Sequence, residues 1–91
     1  MPHMVHVLMP ASEFRATENI LDVPVNCDLD TLEDIAYRVR QQVYVPPSHR
    51  PLWVSPLTGK PYLDGTEAIV NQGIRNNDTL KLFFFHPGWQ G

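Results

Sequence analysis

The chain is poor in the features that mark most specialised proteins, and each shortage excludes something. Cys27 is its one cysteine, so no disulfide can form within the chain and a reducing, intracellular (cytoplasmic) setting is expected. Seven basic residues stand against ten acidic ones for a net charge of −3. The basic residues are scattered, with Lys60 and Lys81 the only lysines, so no basic stripe marks a nucleic-acid footprint. No apolar run approaches the roughly 20 residues of a membrane helix. The start, MPHMVHVLMP, lacks the charged segment and cleavage site of a signal peptide. No nucleic-acid or membrane partner is expected.

Chemistry-bearing patterns are equally scarce. His3, His6, His49 and His86 are far apart or lack the spacing of a metal pair, and no glycine-rich phosphate loop occurs. Asp28 and Asp30 read as turn and cap residues, not as an acid–base pair. Cys27 sits before a predicted helix, where the helix dipole can lower a thiol pKa, but a half-buried structural role is the reading preferred here. No catalytic, metal or cofactor site is assigned, and the chain is read as a non-enzyme.

What is present is one well-patterned helix among short strands. Hydrophobic content of 43% suits a folded chain, and 91 residues hold one modest core. Residues 30–47, DTLEDIAYRVRQQVYVPP, place Leu32, Ile35, Ala36, Val39 and Val43 on one helical stripe. Asp30 with Glu33 three residues on predicts an N-terminal capping box, Asp34 and Arg38 predict an i,i+4 pair, and Pro46-Pro47 stop the helix. Residues 4–9 and 19–26 alternate with period two and predict an antiparallel pair, with Pro24 requiring a free edge. Phe14, between them, is expected to fold back onto the core.

Beyond the helix, Leu52, Trp53 and Val54 form a short strand, with Leu52 and Val54 read as facing inward and Trp53 outward. Tyr62-Leu63 predicts a brief return strand, and residues 66–72 one helical turn with Ala68, Ile69 and Val70 partly buried. Residues 79–85, TLKLFFF, read as a central strand with Leu80, Leu82 and Phe84 inward and Lys81, Phe83 and Phe85 outward. A lone helix amid strands must bury its stripe on one sheet, giving an α+β domain over residues 1–86 and a flexible tail at 87–91. The sheet is expected to be mixed, with four to five strands, and the helix to run from about 30 to 44.

These segments in this order resemble the ubiquitin-like β-grasp family. Thr31, Leu32, Ile35, Val39, Val45, Pro46 and Pro47 match its helix and the double proline after it without a gap. Residues 50–54 resemble its third strand, 63–65 its leucine–acid–glycine turn, and Gly73-Ile74 with 79–82 its final turn and strand. The similarity covers residues 4–86, with a small insertion at 55–58 and a longer first loop. It implies a non-catalytic protein–protein interaction module, the N-terminal domain of a larger scaffold or adaptor, working through the outer sheet face. On the register above, Trp53, Lys81 and Phe83 match the family's isoleucine, histidine and valine recognition positions, and Phe85 extends the patch. Coverage of these rings by the tail, through Trp89, is the alternative. The resemblance also leaves open a conjugatable modifier or sulfur carrier acting through Gly91, although the double glycine of ubiquitin is lacking and Pro87 and Trp89 make the tail bulky.

Overall fold

The computed structural model describes residues 3–11, 16–62, 65–86 and 88. The expectations for Phe14, Leu63, Asp64, Pro87, Trp89 and Gly91 lie outside the described residues.

Two period-two segments form β1 (His3–Met9) and β2 (Asn19–Val25), paired antiparallel from His3 opposite Val25 to Met9 opposite Asn19. The helix α1 (Leu32–Gln42) follows, then β3 (Arg50–Val54), a 3₁₀ turn (Ile69–Gln72) and β4 (Thr79–Phe85). The sheet is mixed, with order β2-β1-β4-β3: β4 runs parallel to β1 and antiparallel to β3. The apolar TLKLFFF segment is therefore central, as its composition requires, and Pro24 lies on an edge strand, where its missing N–H costs no ladder bond. Val54 bridges Pro61 and Tyr62 donates to the Trp53 carbonyl at 2.9 Å, but no fifth strand forms among the described residues.

The stripe of α1 closes this sheet from one side. Leu32, Ile35, Ala36 and Val39 are buried against Val5, Val7, Met9, Val23, Leu80 and Leu82. Ile69 from the 3₁₀ turn and Ile74 just after it complete the core, while Val70 stays exposed. Gly73 closes that turn at φ 80°, a left-handed conformation that glycine adopts without strain.

The helix start differs from the capping pattern read in the sequence. Thr31 is the N-cap: its hydroxyl accepts from Asp34 N–H at 3.2 Å and the Asp34 carboxylate accepts from Thr31 N–H at 2.9 Å. The capping box is therefore Thr31–Asp34, not Asp30–Glu33, which agrees with the threonine start of the resemblance. Its neighbour Asp30 is engaged otherwise. It accepts two hydrogen bonds from Arg38, at 2.6 and 3.1 Å, and one from Asn26 N–H at 2.7 Å. Arg38 thus pairs with Asp30 and not with Asp34, whose carboxylate is spent on the cap.

Arg40, on the next turn, ties down the segment between α1 and β3. It donates to the carbonyls of Pro46 and His49 and lies over the Phe84 ring, 5.1 Å from its centroid.

Candidate protein-binding face

Strand pairing decides which residues face away from α1. Directly opposed residues share a face, and in β3–β4 the pairs are Trp53 with Leu82 and Leu52 with Phe83. Leu82 is buried under the helix, so Trp53 must be as well. It is 5% exposed and belongs to the core, whereas Leu52 is 41% exposed. This corrects the inward placement of Leu52 and of Val54, which pairs with outward Lys81, and the outward placement of Trp53. A three-residue apolar strand between prolines alternates equally well in either phase, and a slip of one residue exchanges its faces. Burying the indole removes far more apolar surface from water than burying leucine would. The Trp53 Nε1 donor has no hydrogen-bond partner among the described residues.

The β4 expectations hold in direction. Leu80 and Leu82 are buried and Phe84 packs against the core, while Phe83 and Phe85 are exposed and Lys81 is half-buried on the opposite side. Lys81 Nζ stands 6.0 Å from the Phe83 ring centroid, at the outer limit of a cation–π contact. Leu52 lies beside Phe83, and Arg50 beside Phe85. Further across the sheet Leu8 pairs with Ile20, extending the apolar area to residues the sequence reading left out of the patch. Alternation with buried Val7 and Met9 puts Leu8 on this side, its cross-strand partner Ile20 shares it, and the parallel pairing of Leu8 with Lys81 joins them to β4.

A polar pair occupies the middle of β1–β2 on the same face. His6 Nδ1 donates to the Asp22 carboxylate at 2.6 Å, between directly opposed residues. Other exposed apolar side chains, such as Leu29, Tyr37 and Leu57, are scattered singly over the rest of the surface, as is ordinary for soluble domains. The outer face is where exposed apolar residues are cross-strand neighbours.

Elsewhere the chemistry is quiet. Burial pushes the Cys27 thiol up, and the carboxylates of Asp28, Asp78 and Asp30 push it further, so the reactive thiolate is disfavoured. Hydrogen bonds from Arg38 hold the Asp30 carboxyl below its usual value, against the opposing effect of burial. Among the described residues no three metal-ligating side chains cluster, and no helix is long and apolar enough to cross a membrane.

Comparison with known proteins agrees with this architecture. The structure superposes on the ubiquitin-like domain of Plasmodium falciparum Dsk2 with a TM-score of 0.68 and 18% identity, covering 93% of this chain and 100% of that one. The fold is that of the ubiquitin-like β-grasp. The ubiquitin of Caldiarchaeum subterraneum matches with a TM-score of 0.66 and 17% identity, over 98% of this chain and all of that one. A protomer of the ESX-3 core complex contains a similar unit, with a TM-score of 0.66 and 20% identity over the full chain, which spans 20% of that protein. No protein-family model and no curated protein sequence matches the chain.

Proposed function

We propose that this ubiquitin-like domain is a non-catalytic binding module that recognises other proteins through the outer face of its sheet, around Leu52, Phe83 and Phe85 with Lys81 at the edge. The observation that carries the reading is the adjacency of exposed Leu52 and Phe83, 41% and 38% accessible, in one cross-strand pair. Aromatic side chains next to an aliphatic one are favoured as interface anchors, and a row of them in water is costly without a partner. Arg50 and Lys81 flank the pair and supply the polar rim that interfaces have. The ESX-3 protomer carries its similar unit within a much longer chain, which supports a place for this domain in a larger scaffold or adaptor. The single buried cysteine supports a reducing, intracellular setting.

The test is affinity capture on the wild-type domain and on Leu52→Asp and Phe83→Asp. Proteins held by the wild type and lost from both folded variants support the outer face. Equal capture by all three overturns it. The conjugation alternative draws its support from the likeness to an archaeal ubiquitin over that protein's whole length. It predicts an ATP-dependent adduct in cell extract that disappears when Gly91 is deleted.

A further inference from the structure

The indole of Trp53 is buried with its donor unsatisfied. The residue is 5% exposed, and Nε1 has no hydrogen-bond partner among the described residues. Buried polar groups are nearly always paired, and an idle donor gives up its hydration without return.

Trp53 also lines a cavity of about 230 Å³ between the start of α1, β3 and the segment around Tyr62 and Gly65. Leu32 and Leu52 give it apolar walls, Glu33 supplies its charge, and no basic side chain is among the residues that line it. The Glu33 side chain lies along Gly65: Cγ and Oε1 stand 3.2 and 3.7 Å from the position a Cβ would take there. Backbone bonds hold both sides in place. Glu33 N–H donates to the Gly65 carbonyl at 3.2 Å, and Tyr62 N–H donates to the Trp53 carbonyl at 2.9 Å. Pockets for drug-sized ligands begin at about 300 Å³, so this one suits a smaller molecule.

The polar groups select an occupant by charge and by hydrogen bonding. An anion would accept from the indole but meet the Glu33 carboxylate. An ammonium would pair with the carboxylate and leave the indole N–H idle. A hydrocarbon would satisfy neither. A primary amide answers both, because its carbonyl accepts from Trp53 Nε1, its NH₂ donates to Glu33, and it carries no charge. Nε1 shows almost no surface in this structure, so the walls must part slightly for the carbonyl to reach it. Leu52, exposed on its other side, has room to turn.

We propose that this cavity is a binding site for a small molecule carrying a primary carboxamide, held between the Trp53 indole N–H and the Glu33 carboxylate. The site does not rest on the outer-face reading, since the indole lies on the inner side of β3.

The probe is propionamide, titrated into the isotope-labelled protein while the indole N–H resonances are followed. The chain has two tryptophans, and the resonance missing from Trp53→Phe is that of Trp53. It should move downfield and saturate at millimolar amide, while the other indole resonance stays in place. Glu33→Ala should weaken propionamide at least about tenfold, the effect of losing a hydrogen bond to a charged group. N,N-dimethylpropionamide, which keeps the carbonyl and lacks the N–H, should lose nothing further in Glu33→Ala. A Trp53 resonance that propionamide leaves unmoved overturns the proposal, as does equal binding by folded Glu33→Ala. Tighter binding of a glutamine within an acetyl- and methylamide-capped peptide would overturn the choice of a small molecule over a partner's side chain. Should Trp53→Phe not fold, Trp89→Phe supplies the assignment and the Glu33→Ala comparison decides.

Discussion

The two faces of this sheet differ in what one residue of register does. On β3, Trp53 is buried beneath α1 while Leu52, its immediate neighbour, is 41% exposed on the far side. On β4, Leu82 and Phe83 repeat the contrast, buried and 38% exposed. The inner row is held by packing, and its identity is set by volume. The outer row has no such duty in the described structure, yet it carries leucine and phenylalanine where a solvated sheet would favour polar residues. That contrast is why stability and recognition are assigned to opposite faces of the same strands.

The largest predicted effect breaks the inner row. Trp53→Ala should cost about 3–5 kcal/mol in chemical denaturation, as deletions of buried large side chains do. A cost under about 1 kcal/mol would return Trp53 to the surface. Ile35→Ala, on the helix side of the same core, should cost about 2–5 kcal/mol.

An intermediate effect belongs to the Asp30–Arg38 pair. Arg38 is partly solvated, so the pair is discounted to about 1–2 kcal/mol, which Asp30→Asn should largely remove. Because Asp30 is held below its ordinary value, its contribution is fully present above the unfolded carboxyl pKa of about 3.9 and is lost as pH falls through the lower folded value. Acid unfolding curves of wild type and Asp30→Asn should therefore converge below about pH 4 and stay apart at neutral pH. Curves that remain parallel throughout would separate the pair from folding stability. The smallest effect is on the outer row, where Phe83→Ser should change stability by no more than about 0.5 kcal/mol.

The fold was legible because independent signals agreed. The stripe of α1, the double proline after it and the alternation of β1 and β2 each demand one sheet packed on one helix, and tertiary contacts reinforce that demand. The capping residue was not settled by pattern, since Asp30 and Thr31 are both good caps. The choice depends on Arg38 drawing Asp30 away, a contact eight residues distant. The outward face was legible on β4, where seven residues fix the phase, and misread on β3, where three apolar residues do not. Pairing of Trp53 with Leu82 resolves it, and that is long-range information. The period-two alternation of β1 and β2 separates Leu8 and Ile20 from the buried valines, but only the parallel β1–β4 pairing brings them beside the patch.

The most direct measurement is the affinity of a captured partner for the wild-type domain, for Leu52→Asp and for Trp53→Phe, with folding of each monitored by its amide spectrum. The account predicts at least about a tenfold loss of affinity for Leu52→Asp and a change under about twofold for Trp53→Phe, which keeps an aromatic ring in the core. Unchanged binding by folded Leu52→Asp, with loss in folded Trp53→Phe, would contradict the assignment of the two faces.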